Sequence, residues 1–306
     1  MTLLAIETSC DETSASVVRD GVVLANTVSS QIKMHEEYGG VVPELAAREH
    51  LKNFLPVARQ ALREAVVEPK QLDAIAATQG PGLPGALLMG FKAAQAMAFA
   101  LNKPFLGINH HEAHLYSPWI ENRKLKVDAS GNELSTYVLR PSGEIEPNVS
   151  LIVSGGHTML VLVEEELKHR VLGGTIDDAA GECFDKTGKL VGLPYPAGPV
   201  IDKLAEQGNP KAYDFPRPLI HESNDNFSFS GLKTSVRYFV RDHPEIVDDP
   251  QKLRDLCASV QSAIVDVLVT KTLRAAKRYG LRCVTASGGV ACNSNLRAQL
   301  AAACAR

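Results

Sequence analysis

The apolar positions along this 306-residue chain change period repeatedly, and each change marks an element. "TLLAIETS" is a short apolar run closing on small polar residues, which predicts a buried strand. "SASVVRDGVVLANTV" places two apolar runs around Arg19-Asp20-Gly21, and Asp-Gly suits the tight turn of a hairpin. Pro43 opens "PELAAREHLKNFLPVARQALREA", where apolar residues recur at three and four. That spacing predicts a long helix, kinked or divided at Pro56. A strand ("LDAIAAT"), a glycine-rich loop ("QGPGLPG"), a helix ("ALLMGFKAAQAMAFAL") and a strand ("PFLGI") come next, followed by "INHHEAHL".

The second half repeats this order. "VSLIVSGGHTMLVLVEEELKHRVLGG" reads as three strands joined by a small-residue turn and a charged turn. "DDAAGECFDKTGKLVGL" is a helix pattern with carboxylates at its start, where they suit the macrodipole. "LRCVTASGGVACNSNLRAQLAAACA" gives strand, glycine loop and helix, parallel to "LDAIAATQGPGLPGALLMGFKAA". The repetition predicts an α/β protein of two related lobes, residues 1–120 and 149–306, with residues 121–148 as an inserted hairpin or linker. The irregular "NPKAYDFPRPLIHESNDNFSFSG" is expected to face a site or a partner rather than enter a core. In the first lobe a strand and the histidine segment follow the glycine-loop helix, whereas the sequence stops inside the corresponding helix of the second. The duplication therefore predicts a further strand and helix, a few tens of residues, in a full-length protein.

Composition narrows this only slightly. An apolar fraction of 45% and a charged fraction of 22% are those of a globular protein. A net charge of −3 gives no bulk support to nucleic-acid binding, so a local patch or a partner would have to supply it. The six cysteines are scattered without a CxxC pair, which argues against a disulfide framework and for a reducing compartment. With no signal peptide and no apolar run of ~18 residues, the expectation is a cytoplasmic protein without a membrane span.

Three features carry candidate chemistry. His110 and His114 are four apart and share a helix face, a spacing that lets two imidazoles reach one metal; His111 with His114 is a weaker pair. The zinc-protease pattern H-E-x-x-H fails, because position 115 is Leu and Glu112 lies about 200° round the helix from His110. Two histidines do not complete a metal site, and a polar helix face with surface histidines has the same spacing. "VSGGHT" and "SGGVACN" are glycine turns at equivalent places in the two repeats; neither is a Walker loop. Together they suggest a nucleotide held between lobes, as in the actin, Hsp70 and sugar-kinase superfamily. "ETSCDET" sets Glu7, Asp11 and Glu12 at the end of the first strand, where carboxylates can bind a cation, position a nucleophile or accept its proton; a solvated turn reads the same. Asp185 and Asp202 carry the same ambiguity.

Read together, "AIETSCDETSASVV", "YGGVVPELAAREH", "GPGLPGALLMG", "NHHEAH", "VSGGHTMLV", "IDDAAGECFDKTGKLVGLPYPAGP", "FSFSGLKT" and "ASGGVACNSNLR" resemble the bacterial TsaD type of tRNA N6-adenosine threonylcarbamoyltransferase. This family was once mislabelled a glycoprotease. The resemblance spans nearly the whole chain. It implies a duplicated actin-like, ribonuclease H-like fold with a ligand cleft between its lobes. It also implies transfer of a threonylcarbamoyl group from threonylcarbamoyl-adenylate to N6 of adenosine 37 in tRNAs reading ANN codons, with AMP released. Carried over by position, the metal ligands fall on His110 and His114, and the adenylate loop on Ile152, Val153, Ser154, Gly155 and Gly156. Further substrate contacts fall on Asp185, Gly198, Asp202 and Asn293, while Asp11 and Glu12 are the candidate catalytic carboxylates. The resemblance also implies one divalent metal ion per subunit, iron(II) ahead of zinc, and a third ligand, an aspartate in a "CTDNAAM"-like segment that this sequence lacks. Its partners would be tRNA, a paralogous scaffold subunit and a small ATPase. A non-catalytic scaffold paralogue should lack the histidine pair and "SGGVACN", both present here; a related carbamoyltransferase would need additional domains or a different acceptor site, which nothing in this length suggests.

Overall fold

The computed structural model describes residues 1–127, 133–139 and 145–305. The chain divides into two compact units, residues 1–144 and 145–306. Residues 128–132 and 140–144 of the expected insertion lie outside the described residues.

The first unit begins with a meander, β1 (Thr2–Glu7), β2 (Glu12–Arg19) and β3 (Val22–Ser30). Asp20 and Gly21 take positive φ at the predicted tight turn. Helices α1 (Ile32–Glu36) and α2 (Pro43–Glu64) lead to β4 (Ala74–Gly80), α3 (Pro84–Leu101), β5 (Phe105–Asn109) and α4 (His110–Tyr116). A hairpin of β6 (Ile120–Val127) and β7 (Glu133–Leu139) follows, and β7 pairs with β3. Among the described residues the sheet order is β5-β4-β1-β2-β3-β7-β6, with β1, β4 and β5 parallel. Leu4, Ile6, Val17, Phe54, Val57, Leu72 and Ile75 form its core. Helix α2 runs unbroken through Pro56, contrary to a division there. Lys52, whose carbonyl loses its donor to proline, and Pro56 are both exposed, so water can serve that carbonyl, while Phe54, Val57 and Ala61 anchor the buried face.

The second unit repeats the meander with β8 (Asn148–Val153), β9 (Thr158–Glu165) and β10 (Lys168–Gly174). Helices α5 (Ala180–Leu190), α6 (Ala197–Ala205), α7 (Ser230–Asp242), α8 (Glu245–Asp248) and α9 (Pro250–Arg278) precede β11 (Cys283–Ser287) and α10 (Ser294–Cys304). The sheet order is β10-β9-β8-β11, with β8 and β11 parallel. Thus β8, β9, β10 and β11 match β1, β2, β3 and β4 in order and direction, which is the duplication read from the sequence.

Two further observations depart from the sequence reading. Helices α3 and α9 are long and apolar enough to cross a membrane, although no such run was expected. Helix α9 is the core helix of its unit, and α3 buries the small-residue stripe Ala86, Gly90, Ala94 and Ala98, which lets it sit close to the sheet. The irregular stretch before α7 does enter the core. Its Phe215, Phe227 and Phe229 are buried, and Phe227 exchanges backbone bonds with Gly174 and Ile176. Three cations of α9 hold the same stretch: Lys271 Nζ donates to the Asn224 carbonyl at 2.9 Å, Arg274 to Ile220 and Asn224, and Arg278 to the Asp225 carboxylate. Replacing Phe227 by Ala should therefore cost about 3–5 kcal/mol in urea unfolding, the range for a fully buried aromatic rather than for a surface loop.

Candidate functional site

In the first unit, parallel pairing brings the carboxyl ends of β1, β4 and β5 to one edge of the sheet. The acidic turn Thr8–Asp11 leaves β1, the "GPGLPG" loop leaves β4, and α4 leaves β5. They are in contact: Leu83 N donates to the Ser9 carbonyl at 2.8 Å, and a Cβ on Gly82 would meet that carbonyl oxygen at 2.6 Å. A Cβ on Gly90 of α3 would likewise strike the Thr8 side chain, so these glycines are demanded by close approach.

Helix α4 is started by Asn109, whose side chain accepts from His111 N at 2.9 Å and Glu112 N at 3.2 Å. This fixes the register in which His110 and His114 share a face, their rings edge to face with centroids 4.7 Å apart. Such a pair fits two positions of a metal's coordination sphere, and imidazole suits iron and zinc alike. Among the described residues no group of three His, Cys, Asp or Glu gathers around a common point.

Behind the pair stands Glu7, at the end of β1, its Oε2 3.5 Å from His110 Nδ1. Ser9 N and the Thr78 hydroxyl also donate to its carboxylate. Burial acts to raise the Glu7 pKa, but the donors on His110, Ser9 and Thr78 outweigh it and bring it down to about 2. An anion at Nδ1 selects the tautomer with its proton there and leaves Nε2 as the nitrogen with a lone pair to offer. Sequence reading saw Glu7 as one carboxylate among several; only the pairing of β1, β4 and β5 puts it beside His110. Of the two predicted catalytic carboxylates, Glu12 has its pKa raised, by desolvation first and then by the Asp11 and Glu7 charges.

In the second unit the two glycine turns leave adjacent parallel strands, β8 and β11. Ile152 and Val153 are fully buried, so only their backbone can face a ligand. Ser154 closes the turn: its N donates to the His157 carbonyl at 2.7 Å and its hydroxyl accepts from His157 N at 3.1 Å. A Cβ at Gly155 or Gly156 would meet nothing within 4 Å, and among the described residues their N–H groups have no protein acceptor. Gly181 and Gly288 are packed against the back of this turn. A Cβ on Gly181 would lie 2.5 Å from the Ser154 carbonyl oxygen, and one on Gly288, where φ is +93°, would collide with the Val153 carbonyl. The open glycines thus face outward, and the closed ones hold the turn.

The remaining predicted contacts form a helix-capping network. Asp185 Oδ1 accepts from Ala197 N at 2.8 Å and Gly198 N at 3.3 Å at the start of α6. Asp202 accepts from Asn293 Nδ2 at 3.0 Å, and from Ser294 N at 2.9 Å and its hydroxyl at 2.8 Å. Asn293 caps α10 by accepting from Leu296 N at 3.0 Å and donates to Gln261 Oε1 at 2.7 Å. Sequence reading missed Gln261, because a lone glutamine in a long apolar helix gives no signal.

Solved structures place the architecture in the actin-like ATPase fold class. The Acidaminococcus fermentans (R)-2-hydroxyglutaryl-CoA dehydratase component A matches with a TM-score of 0.53 at 14% identity, covering 99% of this chain and 88% of its own. The Clostridium difficile activator of 2-hydroxyisocaproyl-CoA dehydratase, solved with bound ADPNP, matches with a TM-score of 0.52 at 12% identity, covering 99% and 85%. Sequence comparison is more specific. The model of the TsaD family, tRNA N6-adenosine threonylcarbamoyltransferase, matches residues 22–139 and 132–306. The enzyme of that name from Chlorobium chlorochromatii is 52% identical over 313 residues, covering 99% of this chain and 84% of its own length. Its counterpart from Geotalea uraniireducens is 50% identical over 301 residues, covering 98% and 82%. The chain belongs to the TsaD family.

Gly288→Ala should lower unfolding free energy by about 2 kcal/mol or more through positive φ and collision, whereas Gly156→Ala, with open space before it, should stay within about 0.5 kcal/mol. Chemical denaturation of the two variants checks this contrast.

Proposed function

We propose that this chain is an acyltransferase that moves the threonylcarbamoyl group from threonylcarbamoyl-adenylate to N6 of adenosine 37 in tRNAs reading ANN codons. The adenine N6 attacks the carbamoyl carbon. A C–N bond forms, the bond from that carbon to the phosphate oxygen breaks, AMP leaves with the electron pair, and N6 gives up a proton. Because the acyl group is already activated, the protein's work is positioning and charge stabilisation.

The N–H groups of the exposed Gly155 and Gly156, which have no protein acceptor among the described residues, are assigned to the AMP phosphate, as backbone donors suit an anion. Asp185, Asp202 and Asn293 hold the starts of α6 and α10, with Gly198 in the first turn of α6, around the adenylate. In the first unit Glu12, at the start of β2, is assigned as the proton acceptor, its pKa being raised by desolvation and by the Asp11 and Glu7 charges; Asp11 is assigned to orienting the amine or the leaving phosphate. His110 and His114 would hold a divalent metal, iron(II) or zinc, which when bound would polarise the carbamoyl carbonyl. Glu7 fixes the ring of His110 for that purpose. The partners proposed are tRNA, a paralogous scaffold subunit and a small ATPase, and the compartment is the cytoplasm.

The observation that carries this reading, beside family membership, is the edge-to-face pair of His110 and His114 on a capped helix backed by an ionised carboxylate. Incubation with threonylcarbamoyl-adenylate and unmodified tRNA, followed by nucleoside chromatography, should give the modified adenosine; His114→Ala should reduce the rate at least about 10²-fold. Full transfer by protein shown by mass analysis to be metal-free would overturn the metal assignment. Separately, Glu7→Gln should weaken iron(II) or zinc binding about 10–100-fold in chelator competition.

A further inference from the structure

The stretch "YGGVVPELAAREH" has no part in the chemistry above, yet its last residue, His50, is fully buried and hydrogen bonded on both ring nitrogens. His50 Nε2 donates to the Cys10 carbonyl at 3.0 Å, and its Nδ1 accepts from the Thr13 hydroxyl at 2.8 Å and from Gln31 Nε2 at 3.3 Å. Gln31 Oε1 accepts from His35 Nε2 at 3.2 Å, and His35 Nδ1 accepts from Val42 N at 3.3 Å. A backbone group stands at each end of this series, a carbonyl that only accepts and an N–H that only donates. The tautomers of both imidazoles and the flip of the Gln31 amide follow from those ends.

The sequence motif acquires a reason from this network. Gly39 and Gly40 adopt φ of 66° and 156°, turning the chain after α1 so that Val42 N reaches His35. Pro43 then starts α2, and two turns along it His50 arrives beneath the acidic turn. Gln31 contributes a second contact, since its backbone N donates to the Asp11 carbonyl at 2.9 Å. With Leu83 N on Ser9, three successive carbonyls of the turn, Ser9, Cys10 and Asp11, are each bonded to a different part of the scaffold.

We infer that His50 and Gln31 are positioning residues for the acidic turn: by fixing the Cys10 and Asp11 carbonyls they set where the Asp11 and Glu12 carboxylates stand. The catalytic consequence rests on the transfer reading proposed above; the ordering of the turn does not. Cys10 is a built-in probe. Its thiol is exposed on the turn among the Asp11, Glu12 and Glu7 carboxylates, whose charge disfavours a thiolate, so a turn released from that arrangement alkylates faster.

The experiment compares the whole chain with His50→Phe, which keeps volume but loses the donor, and His50→Gln, which restores an N–H able to reach the Cys10 carbonyl. Alkylation by iodoacetamide is followed at each cysteine by peptide mass spectrometry, with exposed Cys304 as reference. In His50→Phe the Cys10 rate should rise about tenfold relative to Cys304, and in His50→Gln it should stay near the wild-type rate. In the transfer assay His50→Phe should lose about 10²-fold in kcat with KM for the adenylate little changed, and His50→Gln should recover most of it. Unchanged Cys10 alkylation in His50→Phe overturns the inference. So does equal damage in the two variants accompanied by equal losses of melting temperature, the mark of a purely structural residue. Absence of product from the wild-type chain would instead count against the transfer reading and leave the alkylation result to decide the role of His50.

Discussion

Because β1 pairs in parallel with β4, and β4 with β5, the chain must cross back over the sheet after each strand and return to the same edge. The carboxyl ends of all three strands therefore lie side by side, and the chemistry of the first unit collects there. The acidic turn, the "GPGLPG" loop and the histidine helix are separated by seventy or more residues in places, yet they touch through Leu83 and Ser9, Gly82 and Ser9, and Glu7 and His110. The same constraint acts in the second unit, where β8 and β11 pair in parallel and the two glycine turns become neighbours.

Convergence of backbone alone leaves side chains loose, and the structure tightens them with buried polar contacts. Glu7 accepts from Ser9, Thr78 and His110, linking β1, β4 and α4 through one ionised group. His50 and Gln31 donate to the turn's Cys10 and Asp11 carbonyls. In the second unit Asp185 of α5 holds the start of α6, and Asp202 of α6, with Asn293 and Gln261, holds the start of α10. Polar groups buried this way are costly unless satisfied.

The glycines in and around the second unit's glycine turns serve two opposite ends. Gly181 and Gly288 are required because neighbouring backbone already fills the space a Cβ would take. Gly155 and Gly156 leave space open on an exposed turn. The sequence spells these positions alike; packing alone tells them apart.

Period, turn residues and duplication determined most of the strands and helices, because each is a local matter of which face is apolar and where φ must turn positive. The four-residue spacing of His110 and His114 survived for the same reason, with Asn109 setting the register of a helix too short to set its own. Tertiary structure decided what depends on residues far apart in the chain. Pro56 stays inside α2 because it falls on the solvent face, and the polar stretch before α7 is core because Phe215, Phe227 and Phe229 find a home under α9. Glu7 and His50 gain their parts only when β1 lies beside β4 and α2 lies beneath the turn, since a carboxylate or an imidazole carries no mark in sequence of the group it will meet across the fold.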